Sequence, residues 1–174
     1  EAAERGLPNL KTTVDALPAL TSKETLAIFS KYKVLSKREL HSRLEIYLEQ
    51  YCMTVGVEAN LTVEMAKTNI YPAAVRYQGE LASSAASLKA IDVEFDRTTL
   101  DAVTAAIKGL LTNIATLEKT MDHEAKTMLA EAKHACNKTL PAMLEVRKYA
   151  DELEGLVADD LWPLPTYQEI LFIK

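Results

Sequence analysis

From Leu100 onward the apolar residues fall at Leu100, Val103, Ile107, Leu110, Leu111, Ile114, Leu117 and Met121, with Met128 beyond. Steps of three and four gather them on one side of an α-helix. Such a stripe must be covered by other apolar surface. It is too short and too unevenly spaced for a free coiled coil, so it reads as one wall of a bundle. Period-two alternation is absent over any useful length, so no strand is expected. Only 5 Gly and 6 Pro interrupt 174 residues rich in Ala, Leu, Glu and Lys, which favours helix again.

The other segments extend this pattern. Residues 1–20 carry Pro8 and Pro18 and no strong period, and read as an extended segment leading in from something upstream. Residues 21–174 read as one helical bundle domain. Thr21 with Glu24 has the form of a capping box and should open a short helix to Lys31. Ser36 with Glu39 should open a long one. Its face carries Leu40, Leu44, Tyr47, Leu48, Tyr51 and Val55, then Leu61, Met65, Ile70 and Val75. Pro72 lacks an N–H and clashes with the preceding turn, so a kink is expected there, with helix continuing towards Leu88 or Ile91. Asp92 to Asp96 breaks the pattern, and Asp96 or Thr98 could cap the next helix.

Asn137 to Pro141 reads as a further break, with Thr139 capping a helix whose inward residues are Met143, Leu144, Val146, Tyr149, Leu153, Leu156 and Val157. A last capping box, Thr166 to Glu169, should start a single turn ending near Phe172. The fold class expected is therefore all-α. It would be an antiparallel up-and-down bundle of long helices, one kinked at proline, with the apolar C-terminal tail packed back.

Length and charge bound the function. One domain of this size buries roughly 70% of its unfolded surface and can hold its own core. A net charge of −5 without a basic stripe argues against nucleic acid as partner. No signal peptide is visible, and no apolar run reaches the length of a membrane span, so no membrane partner is expected. Cys52 and Cys136 lie far apart and read as thiols in a reducing, cytoplasmic setting. The chain begins at Glu1 without Met and reads as a piece of a longer protein.

Few constellations suggest chemistry. Glu131, His134 and Cys136 lack the second ligand pair that a zinc site requires, and His134 and Cys136 point to different helix faces. His123-Glu124 would need a second His at 127, where Thr127 stands. Asp159-Asp160 read as a polar turn that aims Trp162 inward. The five glycines are isolated, so no phosphate-binding loop can be written. Ser83, Ser84 and Ser87 have no His near them in sequence. No residue is therefore assigned a catalytic, cofactor-binding or metal-binding role. Arg43 and Arg76, each near a tyrosine, are candidates for pairing a carboxylate across a helix interface. Trp162, Tyr167, Leu171 and Phe172 are candidates for packing or docking, because a tail this apolar is rarely left in water.

Four stretches carry a family resemblance. They are Gly6-Leu7-Pro8-Asn9-Leu10-Lys11-Thr12-Thr13, Ser42-Arg43-Leu44-Glu45-Ile46-Tyr47-Leu48-Glu49-Gln50-Tyr51, Pro72-Ala73-Ala74-Val75-Arg76-Tyr77-Gln78, and the tail from Tyr149 through Trp162 to Phe172. In that order they resemble the C-terminal part of type III glutamine synthetases. The resemblance implies a parent enzyme that makes glutamine from glutamate and ammonia with ATP and Mg or Mn, through an acyl phosphate. It implies partners as well: the upstream catalytic domain and neighbouring subunits of a dodecamer built from rings.

The catalytic motifs would then lie upstream, and this stretch alone would be an inactive structural or assembly domain. Two other readings remain open. One is a stand-alone helical interaction module that docks through the Trp162 tail. The other is a regulatory domain, for which the sequence offers no pocket signature.

Overall fold

The computed structural model describes residues 1–2, 4–165 and 167–172, with Tyr167 and Gln168 described by their backbone alone. Eight α-helices appear among them: α1 (Thr13–Ala16), α2 (Lys23–Lys31), α3 (Lys37–Met65), α4 (Tyr71–Ala90), α5 (Thr98–Met121), α6 (Met128–His134), α7 (Leu140–Glu154) and α8 (Tyr167–Leu171). No strand occurs among the described residues, so the fold is all-α. The chain divides into two compact units, residues 1–57 with 123–139, and residues 58–122 with 140–174. This grouping differs from a division between residues 20 and 21.

In the first unit the expected extended lead-in turns into α1 at Thr13, followed by a 3₁₀ turn over Leu17–Thr21. Thr12 caps α1 by accepting from the Asp15 N–H at 3.1 Å. The cap of α2 is Ser22, one residue later than expected, because Thr21 belongs to the 3₁₀ turn. The box at Ser36 forms as expected. The Glu39 N–H donates to Ser36 Oγ at 3.3 Å, and the Ser36 N–H donates to Glu39 Oε2 at 2.7 Å. Both Ser36 donors face that carboxylate and hold its pKa below the usual range. The small core of this unit is Val14, Leu48 and Ala132, with Leu44, Cys52 and Cys136 packed against it.

The second unit has the larger core. Val103, Ala106, Ile107, Leu110, Ile114 and Leu117 of α5 are buried, packed with Ala66, Ile70, Ala74, Val146, Leu153 and Val157. The α4 and α5 helices run antiparallel: Gln78 bonds Thr104 at 2.7 Å, while Lys67 meets Glu118 at 2.5 Å towards the other end. Asp96 accepts from the Thr98 N–H at 2.9 Å where α5 begins. By length and composition α5 is long and apolar enough to cross a membrane, contrary to expectation. In this unit, however, α4 and α7 pack on α5 and its Val103, Ile107, Leu110, Ile114 and Leu117 are buried, while Leu111, Thr104, Thr112 and Thr116 stay exposed.

Each interior proline follows a π-turn. Before Pro72 the helix widens into a π-turn over Ala66–Ile70, and α4 follows with proline in its first turn. Before Pro141 the same device recurs: a π-turn over Ala135–Thr139 joins α6 to α7. The break expected at Asn137 to Pro141 is therefore absent. Inserting one residue in the turn lets the chain pass the carbonyl that the proline ring would strike, without ending the helix. The interruption in that part of the chain lies earlier, at Asp122 to Thr127, and Thr127 caps α6 through the Ala130 N–H.

Candidate functional site

The end of α7 shows how the tail is aimed. After the last helical turn, the Ala158 carbonyl accepts from the N–H groups of Leu161 at 3.0 Å and Trp162 at 3.1 Å. The turn leaves Asp159 and Asp160 exposed and lays Leu161, Trp162 and Leu164 against the core of the second unit. Trp162 Nε1 is buried with no hydrogen-bond partner among the described residues. Among the described residues it is apolar packing that holds the indole.

Beyond Pro165 the tail changes character. Ile170, Leu171 and Phe172 are 58%, 69% and 70% exposed. The box expected at Thr166 and the side chain of Tyr167 lie outside the described residues. Between the tail and α7 is an apolar groove of about 520 Å³ with Ala66, Ile70, Val146, Leu164 and Ile170 along it. Arg147 and Asp151 stand on its rim and pair with each other at 3.4 Å. Such a slot suits an apolar side chain. A second hollow, of about 540 Å³, opens at the α4–α5 connection over Ala82, Ala85, Ala86 and Phe95.

Among the described residues, neither candidate arginine pairs a carboxylate across a helix interface. Arg43 and Arg76 are both exposed, and neither forms a salt bridge among the described residues. Arg43 instead acts on Glu39, one helical turn before it, as a nearby positive charge. The reason lies in placement: the neighbouring positions Leu48 and Ala74 face the cores, and the arginines face away.

In the first unit, Glu131 holds the α5–α6 connection by accepting from the Ala125 N–H at 2.9 Å. Desolvation raises the Cys52 thiol pKa, and the Glu131 charge raises it further, so this thiol is held in its protonated form. His123 and His134 stack with centroids 3.8 Å apart and rings 16° from parallel. Sequence separation hid that pair, since they are eleven positions apart, His123 in the α5–α6 connection and His134 at the end of α6. Among the described residues no three His, Cys, Asp or Glu side chains gather as a metal site would require.

Sequence reading also missed the outward face of α3. Ile46, Met53 and Val57 are exposed although the helix buries Leu40, Leu48 and Val55 elsewhere on its surface. Tyr47 and Leu61, expected inward, are exposed too, as are Val75, Leu111, Met128 and Leu144 of the other expected stripes. The signal was available in the spacing, but the inward stripe masked it.

Residues 1–89 match the family model described as Glutamine synthetase C-terminal domain. The chain is 32% identical over 185 residues to a Dictyostelium discoideum protein named Type-3 glutamine synthetase, with 99% of this chain aligned to 25% of that protein. It is 32% identical over 186 residues to a Glutamine synthetase of Bacteroides fragilis (strain YCH46), with 100% of this chain and 25% of that protein covered. It is 33% identical over 181 residues to a Glutamine synthetase of Butyrivibrio fibrisolvens, with 99% and 25% covered. The chain thus spans about a quarter of the length of the curated relatives it matches.

Proposed function

Because this chain belongs to the glutamine synthetase C-terminal domain family, we propose that it is the non-catalytic structural and assembly domain of a cytoplasmic glutamine synthetase. The parent would join ammonia to glutamate with ATP and Mg or Mn, in a catalytic domain outside these residues, within a dodecamer built from rings. The observation that carries this reading is the pairing of family membership with a surface that is apolar yet unfinished. Ile170, Leu171 and Phe172 stand in water at the end of a tail whose first half packs on its own unit. Surface of that kind fits a protein neighbour better than it fits a small substrate.

Catalysis of acyl-phosphate chemistry needs clustered carboxylates for divalent metal and donors for phosphate. The described residues bring no such cluster together, and the sequence contains no Gly-rich phosphate cradle.

The test compares three proteins: the full-length enzyme, the enzyme lacking these residues, and these residues alone. γ-Glutamyl transfer and sedimentation are measured for each. The expected result is no turnover by this stretch alone and a smaller assembly when it is removed. Turnover by the stretch alone overturns the reading.

The exposed final turn also favours a docking role, through Leu171 and Phe172 and not through Trp162. Replacing both residues with Ser in the full-length enzyme should then change assembly while leaving the melting of this domain unaltered.

A further inference from the structure

The outward side of α3 carries a second seam, in which Ile46, Met53 and Val57 stand among Glu39, Arg43 and Gln50. Glu39, Arg43, Ile46, Gln50, Met53 and Val57 follow one another at steps of four, three, four, three and four. That is the a/d spacing of a coiled-coil seam. At 100° per residue it lies on the side of the helix away from Leu44, Leu48 and Val55. Ile46, Met53 and Val57 are 55%, 65% and 67% exposed.

We propose that this seam pairs, antiparallel, with the same seam of a second copy of the chain. The charges select both the partner and the direction. In a parallel pair Arg43 would stack on Arg43, and Glu39 on Glu39, within the seam, which costs stability. In an antiparallel pair centred near residue 48, Met53 faces Arg43 of the second copy, and Ile46 faces Gln50. The two Arg43 side chains then sit about 15 Å apart along the axis. Each comes alongside Glu49 of the other copy, on the flank of the seam, where opposite charge favours contact. The methylenes of Arg43 can lie over Met53 while its guanidinium reaches Glu49.

This proposal rests on the reading that the chain is an assembly domain, and it names the surface used. The test uses the full-length protein with Met53 replaced by photoreactive p-benzoylphenylalanine, an exposed position where the fold tolerates the change. Light and isotopically heavy subunits are mixed, irradiated and mapped by mass spectrometry. The expected product is a light–heavy adduct on the helical turn around Arg43. Arg43→Glu should lower its yield about threefold, the scale of one surface ion pair, and adding Glu49→Arg should restore it.

An adduct around Met53 of the second copy would mean a parallel pair and overturn the proposal. So would an adduct on any segment outside α3, or no adduct. Any of these would leave the assembly-domain reading standing, because that reading is tested separately, by turnover of the stretch alone and by the size of the assembly when the stretch is removed.

Discussion

The ring of Tyr149 on α7 occupies the space that a β-carbon at position 109 of α5 would need, with Cζ 2.6 Å from that point. Gly109 therefore permits the packing of α5 on α7 in the second unit. Gly109→Ala should gain helix propensity of about 1 kcal/mol and lose more to the clash. A net destabilisation of about 1–3 kcal/mol is expected, on the scale of core overpacking. Adding Tyr149→Leu should recover part of that loss. Urea unfolding of the two single variants and the double variant measures the coupling, and strict additivity would show that the contact does not restrain the helix.

Trp162 offers a contrast between shape and hydrogen bonding. The indole packs on the core while its N–H has no partner among the described residues. Trp162→Ala should cost about 3–5 kcal/mol. Trp162→Phe should cost much less, since it keeps apolar contact and removes an unpaired donor. Thermal melts of both variants check this. Equal losses would mean that the N–H is satisfied in solution.

The capping box at the start of α3 should be visible in the pH dependence of stability. Ser36 donors lower the Glu39 pKa in the folded state. A carboxyl with a depressed folded pKa stabilises the fold above its unfolded value of about 4.3, and the contribution is lost as pH falls through the folded value. Ser36→Ala should therefore lower Tm by a few degrees near neutral pH, and the gap should narrow as pH drops below about 4. A gap that stays constant down to that range would remove the ionised box from the account.

Cys52 should be a slow thiol. Burial and the Glu131 charge both raise its pKa, and only the thiolate reacts. At mildly alkaline pH its reaction with a disulfide reagent should lag behind that of a free model thiol, and Glu131→Gln should speed it. No change in Glu131→Gln would leave burial as the whole cause.

Much of the fold was readable because helical pattern is a local property. The stripe from Leu100 to Met121 and the box at Ser36 depend on residues within a few turns of each other. The family resemblance placed the chain among glutamine synthetase C-terminal domains from short stretches alone, and the match over residues 1–89 agrees. The turn that aims Trp162 was legible for the same local reason.

What the sequence alone determined is that this chain is helical, where most helices begin, and to which family it belongs. Tertiary structure decided the rest. It set a π-turn before Pro72, and another before Pro141 in place of the expected break, where the proline ring forbids regular helical bonding. It turned Arg43 and Arg76 outward, stacked His123 on His134, and placed Tyr149 over Gly109. Each of these depends on which surfaces meet across long stretches of chain, and periodicity along one helix carries no record of its partner.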